Sequence, residues 1–191
     1  MATWKKIKKV LDVKSGEQKE FDKKALVPAC AAAAKKAATL AEKQKAILFG
    51  SDNGSKFAWK LIASAAIYAA NRIPEISDTI VGIDNAMKWG YAWEAGPFEM
   101  WDNVGVEESV KKMEADGYKV PESVKKMLAG GNKSFYKIEK GKRLYYDLVG
   151  GGYKEVKTSE GMIFLSNIKA DTKSIVKSNP SCSLIDIGDN V

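Results

Sequence analysis

A chain of 191 residues with 45% hydrophobic and 29% charged side chains, five Trp and a formal charge of +7 is globular rather than disordered, and at this size about 70% of the unfolded surface can be buried. The charge is carried almost wholly by lysine, with Arg72 and Arg143 the only arginines; the bidentate fork that reads bases is scarce, and no specific nucleic-acid partner is expected. The absence of histidine excludes Ser-His-Asp and Cys-His nucleophile systems, His-containing metal sites and the usual general base near neutral pH.

Residues 4–21 read as two short strands joined by a turn at Ser15-Gly16, with Leu11 and Val13 in alternation. From Pro28 the alanine-rich run predicts one long helix to Phe49, broken by GSDNGS at 50–55. The next helix places Phe57, Leu61, Ser64 and Tyr68 on one stripe and Ala58, Ile62, Ala65 and Ala69 on another. Such a helix, apolar over most of its circumference, belongs in the middle of a bundle. Pro74 ends it. Ser77 or Asp78 is placed to cap the following helix, where Ile80, Ile83 and Met87 recur at helical spacing. Two lysine-rich helices follow, one closed by Gly117 and one opened by Pro121.

After Gly130-Gly131 the period changes, and 134–156 reads as a hairpin or small meander with turns at Lys140-Gly141 and Gly150 to Gly152. This block resembles the N-terminal one: Asp147-Leu148 through Val156 matches Asp12-Val13 through Phe21 without a gap, as a duplication would, with the first helical unit upstream of Met1. Strands are expected at Met162 to Leu165 and Ser183 to Ile187, with a polar linker between them.

Cys30 and Cys182 lie far apart and suggest neither a zinc knuckle nor a disulfide, which fits a reducing cytoplasm. The start, MATWKKIKKVLD, has no apolar run behind it, and no stretch reaches the roughly 18 consecutive apolar residues of a membrane span. Gly50 to Lys56 misses the phosphate-loop spacing, and Gly150 to Gly152 lacks that of a dinucleotide fingerprint. The pairs Lys35-Lys36, Lys111-Lys112 and Lys125-Lys126 read as solvated helix faces, with a phosphate-rich ligand such as a coenzyme A tail as the alternative. Phe135, Tyr136, Tyr145 and Tyr146 read as cross-strand pairs.

The chemistry-bearing run is AGPFEMWDNVG, 95–105. Gly96-Pro97 puts proline at the first helical position and Glu99 beside unpaired backbone N–H groups at the positive helix end. Glu99 and Asp102 share a face and could form an acid/base pair, but capping is the favoured reading. Phe98 and Trp101 are expected core anchors, and Gly105 frees the turn into the next helix. No catalytic, cofactor-binding or metal-ligating residue is assigned. Gly96, Pro97, Phe98, Glu99, Trp101, Asp102 and Gly105 form a structural clip.

Residues 83–110, IDNAMKWGYAWEAGPFEMWDNVGVEESV, resemble the C-terminal helical domain of the 3-hydroxyacyl-CoA dehydrogenases, whose hallmark is Ile-Asp-x-Ala-Met followed by Gly-Pro-(Phe/Leu)-Glu-x-x-Asp-x-(Val/Ile)-Gly. Residues 57–76 resemble the preceding family helix, Ser134-Phe135-Tyr136-Lys137 the motif that closes such a domain, and 183–191 the joint into an enoyl-CoA hydratase domain of fused dehydrogenase-hydratase proteins. The resemblance implies a mainly α fold, a helical bundle of that C-terminal type with small β-hairpin segments at both ends. It divides the chain into a hairpin and linker at 1–24, the helical domain at 25–132 and a β-rich segment at 133–191. It also implies part of an NAD-dependent enzyme of fatty-acid β-oxidation, with no cofactor bound by this chain. The Asn-Arg pair the family carries early in its long helix is replaced by Trp59 and Lys60. That departure implies a second, non-catalytic copy that packs against the other domains of its parent, with acyl-CoA contact and a homodimer as further partners. A stand-alone binding module for acyl-CoA or another phosphate-rich ligand is the alternative.

Overall fold

The computed structural model describes residues 9–11, 18–20, 34–139, 141–158, 164–170, 174–179 and 182–187. Among the described residues the fold is mainly α, with three small antiparallel sheets. The chain divides into two compact units, 1–61 and 62–191.

In the first unit β1 (Lys9–Leu11) pairs antiparallel with β2 (Gln18–Glu20); the expected turn at Ser15-Gly16 and the helix start at Pro28 lie outside the described residues. The single helix expected up to Phe49 is interrupted at 37–39, and α1 begins afresh at Leu40–Leu48. The cause is a capping box. Thr39 Oγ1 accepts from Glu42 N at 3.2 Å, while Glu42 Oε2 accepts from Thr39 N and Ala38 N at 3.3 and 2.8 Å. These bonds satisfy N–H groups that would otherwise belong to a continuing helix.

Helix α2 (Asn53–Asn71) starts inside the Gly-Ser run rather than after it. Asp52 makes the start, its carboxylate accepting from both Ser55 N and Ser55 Oγ at 3.0 Å. The helix expected to be surrounded in the middle of a bundle leaves one of its stripes outside: Phe57, Leu61 and Tyr68 are each more than half exposed. The buried face is Ser55, Trp59, Ala63, Ala66 and Ala70. Of the two expected stripes only Ala69 is buried; a helix apolar over most of its circumference does not show by periodicity which side faces the core. Trp59 stacks on Phe49 at 5.5 Å between ring centroids.

The second unit holds α3 (Ile80–Tyr91), α4 (Pro97–Val104), α5 (Val106–Ala115) and α6 (Glu122–Ala129). The cap of α3 is Thr79, which accepts from Gly82 N at 3.3 Å; Ser77 instead turns its hydroxyl to the Thr79 backbone. Of the three apolar positions expected on α3 only Ile80 is fully buried, and Asp84 is buried beside it. Helix α5 buries Val106, Ser109, Val110 and Met113 at helical spacing, α6 buries Val124 and Met127, and α4 buries Pro97, Phe98, Trp101 and Val104. Gly117 closes α5 at φ +82°, and Pro121 precedes α6, as expected.

The meander of β3 (Tyr136–Glu139), β4 (Lys142–Tyr146) and β5 (Tyr153–Glu155) follows in the order expected, with Gly141, Gly151 and Gly152 at positive φ in its turns. Tyr136 lies opposite Tyr145, and Tyr146 opposite Tyr153. A shift of 135 residues carries the β1–β2 pairs Lys9↔Glu20, Val10↔Lys19 and Leu11↔Gln18 onto the β4–β5 pairs Leu144↔Glu155, Tyr145↔Lys154 and Tyr146↔Tyr153. The ungapped sequence match therefore extends to strand register.

The C-terminal expectation is corrected twice. Leu165 belongs to helix α7 (Leu165–Ala170), not to a strand, while 162–163 lie outside the described residues. The stretch taken for a polar linker contains β6 (Ile175–Ser178), which supplies the partner of β7 (Ser183–Ile185). A three-residue strand needs a ladder, and the alternation in Ile175-Val176-Lys177 is too short to stand out by itself.

Phe98 and Phe135 are fully buried and meet edge to face at 5.0 Å, with Trp101 at 5.2 Å from Phe135. Trp101 Nε1 is buried without a hydrogen-bond partner among the described residues, so its contribution is that of an apolar ring. Trp101→Ala should cost about 3–5 kcal/mol and Trp101→Phe less than half as much, read as the shift in urea unfolding midpoint at unchanged slope.

Candidate functional site

The Gly-Pro-Phe-Glu-x-x-Asp run becomes a short helix, α4, pinned at both ends by carboxylates. Pro97 at the first turn needs no N–H partner, but Phe98 N and Glu99 N do. Their acceptor is Asp84, 14 and 15 residues upstream on α3, at 2.9 and 3.2 Å. This is an N-cap supplied in tertiary structure by a neighbouring helix. The approach is so close that a Cβ on Gly96 would overlap Asp84 Cα and its side chain, so glycine is the residue that fits there.

Glu99 reaches back to Gly96 N at 2.9 Å with Oε2. Its Oε1 accepts from both Lys88 Nζ and Arg143 Nη2 at 2.6 Å, which ties α4 to α3 and β4. Asp102, one turn on, accepts from Phe135 N through Oδ1 at 2.7 Å and from Tyr136 N through Oδ2 at 2.8 Å. Tyr136 closes the circuit by donating its hydroxyl to Asp84 Oδ2 at 2.7 Å. Gly105 ends α4 at φ +93° and opens α5, with Ser109 Oγ donating to its carbonyl at 2.6 Å. Glu99 and Asp102 do share a helix face, but they grip different elements.

Burial raises the Asp84 carboxyl to about 6 against two backbone N–H bonds and the Tyr136 hydroxyl, which lower it. Burial likewise raises Asp102 to about 7, with Asp84 adding to the rise and the Phe135 and Tyr136 N–H groups opposing it. For Glu99 burial also pushes upward, but the bonds from Lys88, Arg143 and Gly96 prevail and hold it below the usual glutamate range. Tyr136 is pushed upward by burial and by the Asp84 charge, so its hydroxyl remains a donor.

Of the expected clip residues, Gly96, Pro97, Glu99, Asp102 and Gly105 carry backbone geometry or polar bonds, while Phe98 and Trp101 pack into the core. Asp84, Lys88, Tyr136 and Arg143 were missed. A lone carboxylate on an apolar helix face was the available signal for Asp84; nothing local marks the other three. Among the lysine pairs, Lys111 bonds Glu107, Lys112 bonds Asp116 and Lys125 bonds Glu114. Beside the clip lies a cavity of about 730 Å³ lined by α3, β3, β4 and α7, with Lys88, Trp89, Arg143, Lys157 and Phe164 in its wall. Among the described residues no group of three or more His, Cys, Asp or Glu could hold a metal ion, and no helix is long and apolar enough to cross a membrane.

The chain is 40% identical over 159 residues, 83% of its length, to a Bacillus subtilis protein named as a probable 3-hydroxyacyl-CoA dehydrogenase, and it spans 20% of that relative. Shorter matches join it to proteins named provisionally as fatty acid oxidation complex trifunctional enzymes. One, from Rickettsia felis, is 44% identical over 41 residues, 22% of this chain and 6% of that protein. Another, from Rickettsia prowazekii, is 40% identical over 45 residues, 24% of this chain and 6% of that protein. No family model matches the chain, and no solved structure matches it.

Between the ordinary aspartate value of 3.8 and about 7, folded Asp102 keeps a proton that the unfolded chain has released. Its contribution to stability is therefore largest below that window and falls as pH rises through it. In Asp102→Asn the decline of unfolding free energy between pH 4 and 7 should be shallower than in the parent sequence, measured by urea titration at each pH. Gly96→Ala, which forces α4 away from Asp84, should destabilise by about 1–3 kcal/mol in the same assay.

Proposed function

We propose that the chain is one segment of a protein of the 3-hydroxyacyl-CoA dehydrogenase family, and within it a helical-bundle domain of the family's C-terminal type whose work is packing between domains, not catalysis. The observation that carries this reading is the use made of the three motif carboxylates. Asp84, Glu99 and Asp102 hold backbone N–H groups, a tyrosine hydroxyl, a lysine and an arginine. A general acid or base needs a face toward substrate and a proton to exchange; Asp84 and Asp102 face the protein's own chain, and Glu99, at the cavity wall, is held by Lys88, Arg143 and the Gly96 N–H.

Two further observations support it. Trp59, where the family carries the asparagine of its Asn-Arg pair, is buried against Phe49. Tyr91, Ile76 and Val149 are each more than 60% exposed, apolar surface of the kind that a neighbouring domain covers. In this reading the parent is a dehydrogenase of fatty-acid oxidation joined to further domains, and the strand pair at 9–20 is the tail of a preceding copy.

NAD belongs to that parent. The residues described in this chain do not fit it. At the start of α2 the Asp52 carboxylate takes the Ser55 N–H that a phosphate would need. Gly150 to Gly152 close a hairpin turn on Asp147, which accepts from Val149 N and Gly150 N at 2.9 and 3.1 Å.

The purified chain should show no acetoacetyl-CoA-dependent oxidation of NADH. In the parent protein, Asp102→Asn should leave kcat per folded molecule within a few-fold. A loss of several orders of magnitude with the fold retained would show that the carboxylate acts in the chemistry and would end the packing reading.

A further inference from the structure

The cavity beside the clip has a composition that packing alone does not call for. Four cationic side chains, Lys88, Lys137, Arg143 and Lys157, line it against one carboxylate, Glu99. Lys137 is met at the rim by Glu139 at 2.9 Å, but Lys88 and Arg143 share a single oxygen of Glu99. Two cations on one carboxylate leave positive charge facing the cavity. Both are held in place before any ligand arrives: Lys88 and Glu99 are 22% and 14% exposed, and the Arg143 guanidinium lies over the Tyr136 ring at 4.3 Å. Arginine has donors to spare beyond the terminal nitrogen given to Glu99. The remaining wall mixes apolar Val81, Ile138, Val156 and Phe164 with the uncharged polar Asn85, Thr158 and Asn167, and Trp89 is 81% exposed at its edge.

Fixed cations at one side and an open aromatic and aliphatic wall at the other make a concave site with convergent polar groups. The geometry points to a binding site for a small amphipathic anion, a phosphate or carboxylate carried on a flat aromatic or hydrocarbon body. The head group meets Arg143, Lys88 and Lys157, and the body lies against Trp89 and Phe164. The site borrows Lys88 and Arg143 from the clip and adds Trp89, Lys157 and Phe164 outside it, and it does not rest on the packing role proposed above.

The test uses the full chain and the dye 8-anilinonaphthalene-1-sulfonate, an aromatic anion, titrated by fluorescence, with circular dichroism and thermal midpoint confirming that each variant folds. Trp89→Ala and Lys157→Gln are the variants, since both side chains stand outside the clip. Saturable binding at one dye per chain is expected, weakened about tenfold in the double variant, equivalent to ~1.4 kcal/mol, and weakened further by added salt. AMP and decanoate then compete. Displacement by AMP assigns the head group to a phosphate on an aromatic body, and displacement by decanoate assigns it to a carboxylate on an alkyl chain. Dye binding that does not saturate, that both variants leave unchanged, or that neither competitor displaces would overturn the site.

Discussion

Three buried or half-buried carboxylates hold the second unit together. A helix of eight residues cannot persist in water on its own hydrogen bonds, and α4, whose Pro97 has no N–H, has three orphan N–H groups to settle at its start. Asp84 and Glu99 settle three donors at that end, counting Gly96 N, while Asp102 fixes the entry of the meander. With those bonds made, Phe98 and Phe135 are brought edge to face in the core. The apolar packing and the polar circuit are therefore one structure, each placing the partners of the other.

That arrangement explains why charged groups sit where greasy ones would cost less. Burial opposes ionisation at Asp84 and Asp102, and a buried carboxylate contributes little net stability even when well bonded. Its value is direction. An aspartate accepts two N–H groups at fixed angles, so it sets the register of α4 against α3 and of β3 against α4 in a way that side-chain shape alone does not. The acids of the Gly-Pro-Phe-Glu-x-x-Asp run and Asp84 are occupied with holding helices and a sheet edge.

Much of this was legible in the sequence. The Gly-Pro start, the Glu three positions after Gly96 and the glycine at 105 predict a capped helix with a turn behind it, and that helix runs from Pro97 to Val104. The meander with its glycine turns, the two lysine-rich helices and the likeness between 12–21 and 147–156 were all readable, the last down to its register. The break at Thr39 was readable too, since Thr-Leu-Ala-Glu is a capping box, but the alanine-rich run around it speaks more strongly for helix than four residues speak against it. Asp84 stood in the motif, unrecognised as a cap because its helix is not the one it caps.

What the sequence determined by itself is part of what contacts a few residues apart carry: the start and end of α4, the close of α5 and opening of α6, the turns of the β3–β5 meander, and the exclusion of histidine chemistry. What only the tertiary structure decided is which face of α2 is buried, which helix Asp84 caps, and that Glu99 gathers Lys88 and Arg143 across 11 and 44 residues. The reason is physical. Local signals report the hydrogen bonds a segment makes with itself, whereas a helix with two apolar faces, or an acid with several donors within reach, takes the partner that the packed neighbours leave beside it.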